Sequence, residues 1–209
     1  MKVLLLNGSP HERGCTIGPF RGGEELGGGR DPDCLLLDWK SAHHWLPGVW
    51  GMRQGGQMRI FRWGQRFRSF AKEADGFVFG APVHYAAAAG GITAFLDRAF
   101  YSASSAGAQV FRLKPAAAIV SARRAGTTAA LDQLNKYFTI SQMPIISSRY
   151  WNMVHGNTPA EVEQDLEGMQ VMRFLGRNMA YFLKCIEAGR KAGVPLPREE
   201  GRIATNFIR

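Results

Sequence analysis

Three segments of this sequence combine glycines with polar or charged side chains, and each follows a short apolar run. They occupy residues 7–16, 80–86 and 121–126. Glycine lets a backbone turn closely around a ligand, and the N–H groups and hydroxyls of such a loop suit a phosphate group. The first segment therefore predicts an anion-binding loop, with an ordinary polar turn as the alternative.

The second and third segments carry side chains that suit a flat, negatively charged ligand. His84 and Tyr85 could lie along a ring, and Arg123 or Arg124 could meet an anionic group. For His84 and the arginines a purely structural or solvated role is the alternative. Ligands bind open parallel sheets beyond the carboxyl ends of the strands, so three such segments at one edge predict a ligand site there.

Apolar runs and helical periodicity predict the elements that position these segments. Helices are expected over 92–101, 127–139 and 159–191, the last as one long helix or two shorter ones, with its methionines in the core. Strands are expected at 2–6, 34–37, a run that ends at 79, 115–121 and 144–148, with 80–84 as a loop. Strands that alternate with helices at this spacing indicate an α/β fold with a parallel sheet and crossover connections.

The composition excludes several classes of protein. With 209 residues, 45% of them hydrophobic and 21% charged, one globular domain over 1–209 is expected. No apolar run is long enough for a membrane span or a signal sequence, so we expect a cytoplasmic protein without a membrane partner. The net charge of +9 is spread along the chain without a basic run, so nucleic acid is not an expected partner. Cys15, Cys34 and Cys185 are widely separated, so we expect free thiols and no metal site.

Five segments carry a resemblance to a known family. The first three are Lys2-Val-Leu-Leu-Leu-Asn-Gly-Ser-Pro10, Ala74-Asp-Gly-Phe-Val-Phe-Gly-Ala-Pro-Val83 and Phe95-Leu-Asp-Arg98. They resemble the flavodoxin-like NAD(P)H-dependent FMN reductases. Tyr150-Trp-Asn-Met-Val-His-Gly156 and Gly176-Arg-Asn-Met179 are similar to the branch that contains the iron–sulfur flavoproteins. The resemblance covers residues 1–16 and about 71–209.

This resemblance implies a flavodoxin-like three-layer sandwich with a five-stranded parallel sheet of order 2-1-3-4-5, FMN as cofactor, NAD(P)H as co-substrate and a homodimer. The residues implied to cradle the FMN phosphate are Ser9, His11, Arg13, Gly14, Cys15 and Thr16. Those implied to line the ribityl chain and the isoalloxazine ring are Pro82, Val83, His84, Tyr85 and Ala86. Those implied to close the other side of the ring are Ser121, Arg123, Arg124 and Gly126. Acceptance of a hydride by FMN needs no acid–base residue, so no catalytic side chain is implied.

Residues 17–70 depart from the family pattern, which has closely spaced cysteines at this point. Trp and Met each have a single codon, so a frame advanced by one nucleotide fixes some of the residues it would encode. Glycine results at Trp39, Trp45 and Trp50, and cysteine at Met52 and Met58. All five fall in the family register. We therefore interpret 17–70 as a compensated frameshift, with a divergent insertion as the alternative.

The sequence thus predicts an FMN-dependent oxidoreductase that passes electrons from NAD(P)H to a quinone, a nitro or azo compound, or a protein acceptor. Two other hypotheses stay open. One is a flavodoxin-like electron carrier without small-molecule turnover, which steady NADPH oxidation with a quinone would exclude. The other is an inactive family member in which the altered segment 17–70 prevents FMN binding.

Overall fold

The structure, a computed structural model, describes residues 1–11, 14–16, 34–38, 67, 69–105, 109–201, 203–205 and 207. Arg13 and most of the segment 17–70 lie outside these residues. The frameshift interpretation therefore remains a hypothesis about the sequence.

Six strands form the sheet in the described part of the chain. Their bounds are β1 Val3–Asn7, β2 Cys34–Asp38, β3 Gly76–His84, β4 Ala87–Ala88, β5 Ala116–Ala122 and β6 Met153–His155. The order across the sheet is β2-β1-β3-β5-β6, and each neighbouring pair along this path is parallel. The short β4 pairs antiparallel with β3 as a hairpin strand. Without that hairpin strand the order is 2-1-3-4-5, so the predicted flavodoxin-like parallel sheet is confirmed.

Helices connect these strands and follow the last one. Their bounds are α1 Gly90–Ser105, α2 Thr127–Ile140, α3 Pro159–Gln164 and α4 Leu166–Lys191. The predicted helical region 159–191 is two helices because Asp165 ends one and begins the other. Its carboxylate accepts a hydrogen bond from the Gly168 N–H at 2.9 Å, which is the N-cap interaction that starts a new helix.

Both faces of the sheet are buried, which explains why its strands are apolar throughout rather than alternating. Successive residues of a strand point to opposite faces. Leu4 of β1 belongs to the core cluster that includes residues of α1 and α2, and Leu5 belongs to the cluster that includes residues of α4. Met172 and Met179 of α4 are buried in the second cluster, as the sequence predicted.

The strand predicted over 144–148 is wrong. The Ala116 N–H donates to the Pro144 carbonyl oxygen, and the Ile146 N–H donates to the Ala116 carbonyl oxygen, so this segment touches the sheet at a single bridge through Ile145. The chain then leaves the sheet and returns beside the end of β5 as β6. This apolar segment makes one bridge and packs Ile146 into the core. Its apolar composition alone does not distinguish such a segment from a strand.

The loop predicted over 80–84 is also wrong, because β3 continues as far as His84. Gly80, Ala81 and Pro82 remain in parallel register with Ile119, Val120 and Ser121 of β5. The turn predicted to face a ligand consequently begins after His84 rather than after Phe79.

Within the described residues, no helix is both long and apolar enough to cross a membrane. The same residues contain no group of three or more His, Cys, Asp or Glu side chains that could hold a metal ion.

Candidate functional site

The first predicted segment leaves β1 as a loop held tightly at the carboxyl edge of the sheet. The Gly8 N–H donates to the Gly80 carbonyl oxygen at 2.7 Å, so the loop begins against β3. A Cβ on Gly8 would lie 2.6 Å from Ile92 Cβ, so a larger residue does not fit where the loop passes the first turn of α1. The glycine thus brings the loop backbone close to the amino end of that helix.

Short-range hydrogen bonds give this first loop its shape. Asn7 Oδ1 accepts from the Ser9 N–H, and Ser9 Oγ accepts from the His11 N–H, both at 3.1 Å. The Gly14 N–H donates to the His11 carbonyl oxygen at 3.1 Å and closes a turn. Asn7 is fully buried, and its Nδ2 has no hydrogen-bond partner among the described residues. A buried donor without a partner is unfavourable by about 1–3 kcal/mol, so this position favours a ligand that accepts a hydrogen bond.

The second segment is a β-hairpin with an aromatic residue at its tip. β3 and β4 pair through Val83 with Ala88 and His84 with Ala87, so Tyr85 and Ala86 form a two-residue turn. Both turn residues have positive φ, 51° and 58°, where Asn-Gly is the usual sequence because a Cβ is strained there. The Tyr85 side chain is fully exposed. Backbone strain of this kind clusters at functional sites, and here it presents an aromatic ring to solvent.

The third segment packs against this hairpin at the start of α2. Gly126 has φ 92°, and a Cβ on it would lie 2.7 Å from Ala86 Cα. A residue larger than glycine would therefore be strained at this position and would also push the hairpin away. Gln133 of α2 adds a second connection, because its Oε1 accepts from the Ala88 N–H at 3.0 Å. Arg123, two residues beyond the predicted site residue Ser121, is exposed in this loop.

One buried hydrogen bond joins the first loop to the end of β5. Thr16 Oγ1 and Ser121 Oγ lie 2.9 Å apart, and their residues are 0% and 2% exposed. The two positions are 105 residues apart in the chain. The three predicted segments therefore converge through direct contacts rather than merely sharing an edge of the sheet.

The thiol in the first loop is not poised as a nucleophile. Burial is the largest influence on Cys15, and it raises the pKa of the thiol. A backbone hydrogen bond opposes this effect, while the negative charge of Glu161 in α3 adds to it. A raised pKa keeps the neutral thiol at neutral pH, so Cys15 serves here as a partly buried packing residue.

All the predicted site residues that the structure describes lie at the carboxyl edge of the sheet. Those that are exposed or partly exposed are His11, Gly14, Cys15, Pro82, Val83, His84, Tyr85, Ala86, Arg123, Arg124 and Gly126. Ser9, Thr16 and Ser121 are buried and hydrogen-bonded within the site loops, so their contact with a ligand stays a prediction. Arg13 lies outside the described residues.

Sequence reasoning missed two residues at this edge. Asn7, the last residue of β1, is the buried amide with the unpartnered donor. His155 ends β6, and the following Gly156 N–H donates to the Ala122 carbonyl oxygen at 3.0 Å, beside the third loop. Asn7 was recognisable as a polar residue that ends an apolar strand. His155 was not recognisable in this way, because the strand that positions it was predicted elsewhere.

Comparisons with known sequences find one family model and one curated relative that match this chain. Residues 57–158 match the family model described as NADPH-dependent FMN reductase. The chain is also 25% identical over 202 residues to the iron–sulfur flavoprotein MJ1083 of Methanocaldococcus jannaschii, which covers 90% of this chain and 100% of that protein.

Solved structures resemble this chain in fold. A flavodoxin described as a WrbA-like protein from Agrobacterium tumefaciens has a TM-score of 0.59 at 12% identity and covers 88% of this chain and 97% of its own. The flavoenzyme FerB from Paracoccus denitrificans, an NAD(P)H:(acceptor) oxidoreductase, has a TM-score of 0.57 at 16% identity. The match covers 90% of this chain and 97% of FerB. These findings show that the chain has a flavodoxin-like fold and that residues 57–158 are similar to the NADPH-dependent FMN reductases.

Proposed function

We propose that this chain binds FMN at the carboxyl edge of its sheet and transfers electrons from NAD(P)H to an acceptor. The acceptor would be a quinone, a nitro or azo compound, or a protein. The observation that carries the proposal is the convergence of the three loops, because the Thr16–Ser121 hydrogen bond and the Gly126–Ala86 contact build one site from distant parts of the chain.

The residues at this edge suit FMN in their chemistry. The buried Asn7 Nδ2 lacks an acceptor, and FMN carries acceptor oxygens on its phosphate and ribityl chain. Gly8 and Gly14 keep the first loop free of side chains, and a Cβ on Gly14 would lie 2.9 Å from Ser9 Oγ. The exposed ring of Tyr85 offers a flat apolar surface to a flat ring.

Each loop would have its own part in holding the cofactor. The first loop, with His11 and the N–H groups around Gly14, would bind the phosphate. The hairpin would orient the isoalloxazine ring against Tyr85 and shield it from water. Arg123 and Arg124 would place positive charge beside it, which favours an anionic ligand. Bound FMN would supply the redox chemistry, accepting a hydride from the nicotinamide and releasing the electrons to the acceptor.

Titration of the purified chain with FMN tests the proposal. We expect the flavin absorbance to shift on binding, and anaerobic addition of NADPH to bleach it. Tyr85→Ala should weaken FMN binding about two- to tenfold, the value of one aromatic contact. Tyr101→Ala is the matched control, because Tyr101 is 76% exposed and lies eleven residues along α1 from Gly90, about 16 Å at 1.5 Å per residue.

The outcomes separate the three hypotheses for this protein. Binding, bleaching and steady NADPH oxidation with a quinone support the oxidoreductase. Binding and bleaching without turnover favour an electron carrier. No binding by this chain, with tight binding by a version in which 17–70 follows the family frame, identifies an inactive family member and contradicts the proposal for the chain as it stands.

A further inference from the structure

The described part of the chain contains three histidines, and all three lie at the carboxyl edge of the sheet. His11 belongs to the first loop, His84 ends β3 and His155 ends β6. Of these, His155 is the one with a carboxylate beside its imidazole: its Nδ1 is 3.8 Å from Asp165 Oδ2. This pair is not used by the cofactor-binding role proposed above.

Asp165 is held rigidly in its position beside His155. Its Oδ2 accepts from the backbone N–H of His155 at 2.7 Å, and its Oδ1 accepts from the Gly168 N–H at 2.9 Å in the first turn of α4. Two backbone N–H groups therefore fix both oxygens of the carboxylate. Its negative charge lies 3.8 Å from Nδ1 of His155, so Nε2 is the ring nitrogen left for another partner.

His155 is both accessible and close to the proposed ring site. Its side chain is 42% exposed. In the sheet His155 pairs with Ala122, which directly precedes Arg123 of the third loop. The charged residues on the neighbouring segments are Glu161 of α3, whose Oε2 accepts from the Asn157 N–H, and the exposed Arg123 and Arg124 of the third loop. Asp165 is the residue whose carboxylate lies beside the imidazole ring, with Oδ2 3.8 Å from Nδ1.

We propose that His155, oriented by Asp165, donates the proton that completes reduction of a quinone-type acceptor at this edge; this inference rests on the proposed function. The overall reaction is NAD(P)H + H⁺ + quinone → NAD(P)⁺ + hydroquinone. The nicotinamide C–H bond breaks and supplies a hydride, which reaches the acceptor as two electrons and one proton through the cofactor. The His155 Nε2–H bond breaks as the second O–H bond of the hydroquinone forms. Solvent then reprotonates the exposed imidazole.

The role predicts a separation between the two halves of the reaction. In stopped-flow measurements on the FMN-loaded protein, His155→Gln should leave bleaching by NADPH unchanged within about twofold, since hydride transfer to the cofactor uses no proton from His155. Reoxidation by a benzoquinone should slow about a hundredfold, the lower end for loss of a general acid. The solvent deuterium isotope effect on reoxidation should change in this variant, whereas a merely structural role would not change it.

Three further variants test the assignment. Asp165→Asn keeps an oxygen to cap α4 but removes the charge beside the imidazole, and it should slow reoxidation about tenfold while the imidazole remains. Glu163→Gln removes one exposed negative charge from α3 and should leave both steps unchanged. His84→Gln tests the competing histidine of the hairpin.

A measurement independent of turnover uses the anion of 2-hydroxy-1,4-naphthoquinone. Its binding to the oxidised holoprotein, followed by flavin absorbance, should be several-fold weaker in His155→Gln than in the unaltered chain, because the variant lacks the imidazole that would face the acceptor. Equal affinity in the two proteins would contradict the assignment.

Several results would overturn the assignment. They are unchanged reoxidation in His155→Gln, equal slowing of bleaching and reoxidation, or slowing confined to His84→Gln. If FMN neither binds nor bleaches in the unaltered chain, the proposed function itself fails. Normal bleaching together with unchanged reoxidation in His155→Gln refutes the role of His155 and leaves the proposed function intact.

Discussion

The hydrogen bond between Thr16 and Ser121 gives the most direct test of how the site is assembled. Both hydroxyls are buried and 2.9 Å apart, so removing either one leaves its partner without this bond in a place with little access to water. We expect Thr16→Val and Ser121→Ala each to lower the free energy of unfolding by about 1–2 kcal/mol. The double variant removes both groups, so it should lose about 1 kcal/mol less than the sum of the single losses.

Urea unfolding followed by circular dichroism measures these differences for the protein without cofactor. The same variants should bind FMN up to about fivefold more weakly. If about 1 kcal/mol of the free energy that holds the two loops together is lost, bound FMN must supply it, and about 1 kcal/mol corresponds to that factor in the dissociation constant. Ser148→Ala is the matched control. Its hydroxyl donates to the Val171 carbonyl oxygen at 2.6 Å and belongs to none of the site loops, so it should reduce stability without changing FMN affinity.

The reasoning fails if the double-mutant coupling is within about 0.3 kcal/mol of zero, the range expected for independent sites. The two loops would then not be held by this contact. Equal loss of FMN affinity in Ser148→Ala would also refute it, because the effect would follow overall stability rather than the convergence of the loops.

Gly126→Ala should destabilise the protein by about 2–4 kcal/mol in urea unfolding, because it combines a φ of 92° with a Cβ 2.7 Å from Ala86 Cα; a loss under about 0.5 kcal/mol would contradict the packing. Replacing the turn Tyr85-Ala86 by Asn-Gly should stabilise the protein by about 1 kcal/mol in the same assay and weaken FMN binding, whereas unchanged stability would show that the turn carries no strain. Burial raises the pKa of Tyr137, and the hydrogen bond to the Asp97 carboxylate raises it further. The stabilising contribution of the Tyr137 hydroxyl is therefore complete below the ordinary tyrosine pKa of about 10 and is lost as pH rises above it. The difference in unfolding free energy between the unaltered chain and Tyr137→Phe should therefore shrink from pH 9 to pH 11, and a constant difference would contradict this linkage. Sequencing the gene again should show a one-nucleotide shift and its compensation within the codons for 17–70, whereas the same codons in an independent isolate would support a divergent insertion.

The central strands and their loops were predictable because their signals are local. An apolar run long enough to be buried on both faces identifies β1 and β5, and a glycine-containing polar segment after each identifies a turn. The periodic apolar face of α1 and the methionine face of α4 were predictable for the same reason. The strand order followed from the family resemblance rather than from these patterns.

The edge of the sheet was less predictable. β6 has three residues and owes its position to pairing with Val120, Ser121 and Ala122, which lie more than thirty positions earlier in the chain. A segment so short carries too few side chains to show a period. Residues 144–148 have a stronger apolar signal than β6, yet they make one bridge to the sheet.

The sequence by itself determined the α/β class, the central strands, and the three segments that would carry a ligand. Tertiary structure alone decided that Thr16 meets Ser121, that Gly126 packs on Ala86, and that Asp165 faces His155. The physical reason is the range of the interactions. Strand and helix signals arise between residues a few positions apart, whereas a site forms where loops from different strands meet. Such contacts depend on strand order and register, which the sequence specifies only through the packing of the whole fold.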